Sequence, residues 1–231
     1  MRKTLSVSEK LFLDRVQSLE RRIFPGQLDE SDSHRMKNAG RYSWLYRPSH
    51  HIETGLITEE DVALLSVPGK RLLSVGAHPA YFEQLLCVLG IPADNIVVSD
   101  KDPAIALVEG LMDRTVFDAT GIWPDIGLFD LIIFPESLCM AVQDNAKRSE
   151  DAPEGLFPTD ANESQMLAVI FKQALTHLAP HGEIRANGPM SHPNVVKAAC
   201  EQLTEEGFDH TINYARFFLT LSAKPAFQEK N

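Results

Sequence analysis

The chain reads as an α/β protein. The expected body is a doubly wound, mostly parallel sheet of seven strands with an antiparallel last strand, preceded by an N-terminal helical extension. Three observations predict it. From Arg71 onward, short apolar runs alternate with helical patterns, which is how a parallel sheet with helices on both faces is written. The first run, Arg71-Leu-Leu-Ser-Val75, ends at Gly76 and leads straight into a helix start. The final two strand runs, near 209–213 and 216–222, stand too close for a crossover, so one of them must be antiparallel.

The elements follow in order. Ser6 or Ser8 caps a helix to about Ile23, with Leu11, Val16, Leu19 and Ile23 on one side. Residues 25–40 are polar and read as a loop, and Arg41-Tyr-Ser-Trp-Leu-Tyr-Arg-Pro48 is rich in aromatic and basic residues. Thr58-Glu-Glu-Asp61 resembles a capping box for a helix that stops before Pro68-Gly69. The boundary between the helical extension (1–68) and the body (69–231) falls there. In the body the expected order is strand 71–75, helix 79–89, strand 96–99, helix 103–112, strand 115–117 and strand 130–134. A polar insertion at 143–162, helix 163–178, strand 183–186, helix 193–205 and the closing hairpin complete it.

Composition narrows the function. At 231 residues, 44% hydrophobic and 23% charged, the chain suits one large α/β domain or two small ones. No apolar run reaches the roughly 18 residues that a membrane helix needs, and the first ten residues lack a signal-peptide core. A cytoplasmic protein without a membrane partner is therefore expected. The net charge of −10 argues against binding nucleic acid. Charge is uneven: residues 1–50 carry 10 Lys+Arg and 6 Asp+Glu, a net of +4, so an anionic partner and a mixed-charge helix surface are both open readings. Cys87, Cys139 and Cys200 have no metal-binding spacing, and adjacent His50 and His51 point apart, so no metal is expected.

The chemistry gathers at strand ends. Gly76 permits both a sharp bend and a close approach by a ligand. Pro79 suits the first helical position, which puts His78 at the cap. The N–H groups of Ala80, Tyr81 and Phe82 then lack helical partners and attract a carboxylate or phosphate. His78 either assists that anion or only caps its own helix. Strand 2 ends in Ser99-Asp-Lys-Asp102. Asp100, 24 residues past Gly76, can accept both hydroxyls of a ribose, while Asp102 before Pro103 suits a helix cap. Asp118 follows strand 3, beside an adenine or as a turn former with Thr120 and Gly121. Strand 4 ends in Phe134-Pro-Glu-Ser137, where Glu136 can orient an acceptor or serve as its general base.

These residues resemble the class I S-adenosylmethionine-dependent methyltransferases over about 70–222. The likeness includes Gly76, Asp100, the Asp118-Ala119 pair, Phe129-Asp130, Pro180-His-Gly182 and the final hairpin. It implies a seven-stranded sheet and S-adenosylmethionine as cofactor. The methionine part would lie on Gly76, Ala77 and His78, the ribose on Asp100 with Lys101 beside it, and the adenine near Asp118 and Ala119. The reacting end would lie over Phe134 and Pro135, with Glu136 and His78 as catalytic groups. The implied activity is methyl transfer to a small acceptor. Tyr42, Tyr46 and Arg47 are candidates for the acceptor's wall, suited to an anionic molecule. The chain departs from the family's first motif: Ser74 stands for the acid, His78 for the second glycine and Ala80 for the third. Two other readings stay open: aminocarboxypropyl transfer from the same cofactor, as in nicotianamine synthase-like enzymes, and a non-catalytic role in assembly or regulation. A nicotinamide-dependent dehydrogenase fits poorly, because the first turn lacks G-x-G-x-x-G.

Overall fold

Among the described residues, three helices precede the sheet. The computed structural model describes residues 5–24, 48–77, 80–107, 109–110, 113–135, 137–138, 141–142, 160–188, 193–215 and 218–223. Helix α1 (Val7–Ile23) starts at a capping box: the Ser6 hydroxyl accepts the Glu9 N–H, and the Glu9 carboxylate accepts the Ser6 N–H. Its buried stripe is Phe12, Val16 and Glu20, and that four-residue spacing keeps them on one face. Leu11, expected on the apolar side, is 66% exposed because the stripe runs one residue later. Glu20 is buried with a partner, since its carboxylate accepts the Ser49 N–H at the start of α2 (Pro48–Glu53). Helix α3 (Glu59–Leu65) begins at the expected Thr58/Asp61 capping box.

The body follows as β1 (Leu72–Val75), α4 (Tyr81–Leu89), β2 (Ile96–Asp100), β3 (Asp113–Val116) and β4 (Phe129–Pro135). Then come α5 (Asp160–Thr176), β5 (Leu178–Asn187), α6 (Pro193–Glu205), β6 (His210–Ala215) and β7 (Phe218–Ala223). The seven strands form one sheet in the order β3-β2-β1-β4-β5-β7-β6. Six run in one direction, and β7 alone is antiparallel to both its neighbours. The Rossmann-like sheet with a reversed last strand is therefore present.

Alternation along the strands fills a core on each face. Leu73, Val75, Ile132, Phe134, Ile184 and Ala186 pack with Phe171 of α5 and Val196 of α6. Leu72, Ile96, Val98, Leu131 and Ile133 pack on the other face with Phe82 and Leu86 of α4. Phe12, Val16, Ile52, Leu56, Ile57 and Leu65 of the N-terminal helices and the stretch between α2 and α3 belong to that same core.

Two elements differ from expectation. The stretch after β2 forms a 3-10 turn, Pro103–Leu107, in place of a helix to 112. It buries Ile105 and leaves Leu107 80% exposed, and Gly110, left-handed at φ 82°, does not continue a right-handed helix. Strand β5 begins at Leu178, well before 183, because Leu178 already pairs with Phe129. The register then shifts so that Leu131 faces Glu183, with His181 left-handed at φ 65° across the shift.

A part-buried ion pair ties α3 to the sheet. Arg185 of β5 donates from both terminal nitrogens to Asp61, at 2.5 and 3.1 Å, and from Nε to Glu183 at 2.6 Å. Asp61 also accepts the Thr58 N–H at 2.7 Å, so one carboxylate caps α3 and neutralises a cation on β5. Asp61→Ala should lower unfolding stability by about 1–2 kcal/mol, because it removes the α3 cap and one of the two carboxylates on Arg185 while Glu183 still pairs with the cation. Urea unfolding with an unchanged m-value is the check; a loss within about 0.5 kcal/mol, the range of ordinary surface changes, would show that the pair contributes little.

Candidate active site

The sheet register brings the strand ends to one level. Val75 pairs with Ser99, Ser74 with Ile133, and Pro135 with Asn187. Gly76, Asp100, Pro135 and Asn187 therefore form one row along the C-terminal edge of β1, β2, β4 and β5. The chain leaves β1 toward β2 and β3, then returns to β4 on the other side of β1. This reversal is where a crevice opens at the strand ends of doubly wound sheets.

The turn after β1 is fastened on both sides. The Gly76 and Ala77 N–H groups donate to the Ser99 carbonyl at 2.8 and 3.0 Å. The Ser137 hydroxyl donates to the Val75 carbonyl at 2.5 Å. Gly76 has φ +75°, and a Cβ there would lie 2.3 Å from the Ser137 Cβ. The close approach that demands glycine is thus made by Ser137. Ala80, the N-cap of α4, is left-handed at φ 62° and offers no side-chain hydrogen bond to the helix start. Its N–H bonds the Ala77 carbonyl.

The predicted acids are held by local turns. Asp100 Oδ1 accepts the Asp102 N–H at 2.8 Å, and Asp102 Oδ1 accepts the Ala104 N–H at 2.9 Å. Asp118 Oδ1 accepts both the N–H and the hydroxyl of Thr120, at 3.0 and 2.8 Å. The Phe117 N–H bonds the Asp100 carbonyl, which stitches the ends of β2 and β3 together. Ala119 is buried, and its carbonyl accepts the Trp123 indole N–H at 3.0 Å. Lys101 is exposed beside Asp100. Phe134 is wholly buried in the core on the α5 face, near Trp123, so β4 presents Pro135 at the row. His78, Glu136, Tyr42, Tyr46 and Arg47 lie outside the described residues.

Two polar residues beneath the row, Glu83 and Asn187, were not singled out from sequence. Ser74 of β1, at the position where the resemblance expects an acid, is fully buried and donates to Glu83 of α4 at 2.5 Å. The carboxyl is thus present near the first turn, but the helix supplies it. Burial pushes the Glu83 carboxyl up to about 7, against the opposing effects of the Ser74 and backbone hydrogen bonds. Its signal in sequence was an acid among Phe82, Leu85 and Leu86. Asn187 is 1% exposed and donates to Thr54 Oγ1 at 2.7 Å and to His51 Nδ1 at 3.1 Å. His51 stacks against Phe82 with ring centroids 4.7 Å apart. Burial, and then the neighbouring His50, push the His51 imidazole down to about 3.

Comparisons with known proteins return similar chains among solved structures. The chain matches no protein-family model and none of the curated proteins. A TehB-like SAM-dependent methyltransferase from Corynebacterium glutamicum is similar at 14% identity, over 83% of this chain and 100% of that one, with a TM-score of 0.48. SAM-bound CalS10, an amino pentose methyltransferase from Micromonospora echinaspora, is similar at 12% identity over 79% and 96%, TM-score 0.46. The sugar N-methyltransferase KedS8 from a Streptoalloteichus species is similar at 13% identity over 80% and 94%, TM-score 0.44. At these identities and TM-scores, the fold assignment rests on the strand order and directions of the sheet itself.

The two buried titratable groups make opposite contributions to pH dependence. Glu83 binds its proton more tightly when folded, so the stability it contributes is full below about 4.5 and is lost as pH rises to about 7. His51 binds its proton less tightly when folded, so its contribution is full above 6.5 and is lost as pH falls toward about 3. Between 4.5 and 6.5 each slope is about 1.4 kcal/mol per pH unit, and the two offset each other. Relative to wild type, Glu83→Gln should gain about 2 kcal/mol more from pH 5 to 6.5, and His51→Asn should lose about as much. Denaturant unfolding at both pH values is the check. Parallel pH curves for all three proteins would refute these titrations.

Proposed function

We propose that this protein binds S-adenosylmethionine along the C-terminal edge of its sheet and transfers the methyl group to a small-molecule acceptor. The row of Gly76, Asp100 and Pro135 at the reversal of strand order is the observation that carries this reading. The uncapped start of α4 supports it, because N–H groups without a side-chain cap suit the carboxylate of an amino-acid arm.

In this reading Asp100 accepts the ribose hydroxyls, with Lys101 beside it, and Asp118 and Ala119 flank the adenine. Gly76, Ala77 and His78 bind the amino-acid arm by backbone and imidazole groups. Phe134 and Pro135 form the floor beneath the reacting end. Bound S-adenosylmethionine supplies a methyl carbon activated by a sulfonium, which leaves as the neutral thioether. Glu136 orients the acceptor and takes its proton, His78 assists, and the segment with Tyr42, Tyr46 and Arg47 shapes the acceptor's chamber. Residues 1–68 act as a cap over the edge, where enclosure and alignment contribute most of the rate.

One observation favours a second reading. Ser137 occupies the approach to Gly76 that a ligand would use in a glycine-rich turn. A protein of this fold that has lost the cofactor and serves in assembly or regulation would tolerate that contact.

Calorimetric titration with S-adenosylhomocysteine separates the two. The proposed function requires saturable binding at micromolar concentration, and Asp100→Ala should weaken it by about 1.5–3 kcal/mol as hydrogen bonds to a charged group are lost. Absence of binding by the wild-type chain would favour the second reading. Binding that survives Asp100→Ala unchanged would assign the ribose to a different acid. With active enzyme, S-adenosylhomocysteine as the product marks methyl transfer and methylthioadenosine marks aminocarboxypropyl transfer.

A further inference from the structure

A buried cluster on the α2 side of the row joins His51, Thr54 and Asn187. The Thr54 hydroxyl donates to the His51 carbonyl at 3.1 Å, so its oxygen is left to accept from the amide of Asn187. That fixes the amide with its nitrogen toward both Thr54 and His51. Both amide protons are then used, one on Thr54 Oγ1 and one on His51 Nδ1. Nδ1 is an acceptor, and the imidazole proton must sit on Nε2. Among the described residues, that Nε2–H has no partner, although the His51 residue is only 5% exposed. Buried donors in native structures are seldom left without a hydrogen-bond partner.

The place of this donor indicates its use. The His51 ring packs on Phe82, in the first turn of α4, the helix whose start has no side-chain cap. Asn187, which holds the ring, stands in the same row as Gly76 and Asp100. The first turn has His78 and Ala80 where the resemblance expects glycines.

We propose that His51 is a ligand-positioning residue, whose Nε2–H donates to the carboxylate of the amino-acid arm of S-adenosylmethionine at the start of α4, with Asn187 and Thr54 setting the tautomer. The assignment deepens the function proposed above and rests on it. A neutral donor suits this place: it hydrogen-bonds an anion without burying a second full charge, which would be costly. The N-terminal helices thereby supply part of the cofactor's grip, in addition to any covering role. The Arg185–Asp61 pair, which ties α3 to the strand bearing Asn187, holds the donor in register.

The test compares two ligands that share the adenosine and differ in the arm. S-adenosylhomocysteine carries the amino-acid carboxylate; 5′-methylthioadenosine does not. His51→Phe keeps a ring against Phe82 but removes the donor. It should weaken S-adenosylhomocysteine by about 10- to 100-fold, the range for a hydrogen bond to a charged group, and change methylthioadenosine less than about threefold. His51→Gln, whose side-chain amide nitrogen can reach the place of Nε2, should recover much of the lost affinity. Thermal unfolding of each variant establishes that it is folded before titration. Equal losses for both ligands, or no loss for either, would overturn the assignment while leaving the proposed function standing. Failure of the wild-type chain to bind either ligand would instead sink that function, and this assignment with it.

Discussion

Backbone pairing of β1 with β2 on one side and β4 on the other is the constraint on which the rest depends. Parallel ladders fix the register residue by residue, and here they bring four strand ends level. Gly76 and Asp100 come from the side where the chain travels outward, and Pro135 and Asn187 from the side where it returns. No local signal in the sequence states that alignment. It follows from two apolar cores, one on each face, each requiring alternate residues of every central strand.

Beneath the row of strand ends lies a polar layer within the core. Ser74, Glu83, His51 and Asn187 are each at most 5% exposed, and all lie on the face covered by α4 and the N-terminal helices. Burial alone disfavours such groups. Their hydrogen bonds offset much of that penalty, and burial biases the Glu83 carboxyl and the His51 imidazole toward their uncharged forms. The same layer explains how the N-terminal helices are attached. Their apolar residues enter the sheet's core, while Asp61, His51 and Thr54 make directional contacts to β5 through Arg185 and Asn187. Apolar burial supplies the attraction, and the polar contacts choose one seating among several that burial would permit.

Much of the fold was legible because its signals are local. The alternation of apolar runs and helical stretches, the capping boxes at Ser6 and Thr58, and the short link between the last strands each carry their own physical reason. The misplaced elements had weak ones. Gly110, left-handed at φ 82°, interrupts the stretch after Leu107, and the early start of β5 depends on pairing with Phe129 that no single-strand pattern reveals. Within the site, Gly76, Asp100 and Pro135 were legible as strand ends. The reason for Gly76 was only half legible, because its partner Ser137 lies 61 residues away along the chain. Glu83 and Asn187 were hidden for the same reason: each resembles an ordinary surface residue until the fold supplies its buried neighbour.

The most direct test of the central claim is a crystal structure of the protein grown with S-adenosylhomocysteine. The account predicts the adenosine lying across the ends of β1 and β2, with ribose oxygens within hydrogen-bond distance of the Asp100 carboxylate and the amino-acid arm at the start of α4. Density for the ligand elsewhere, or an edge still closed over Gly76 by Ser137 at saturating ligand, would contradict it.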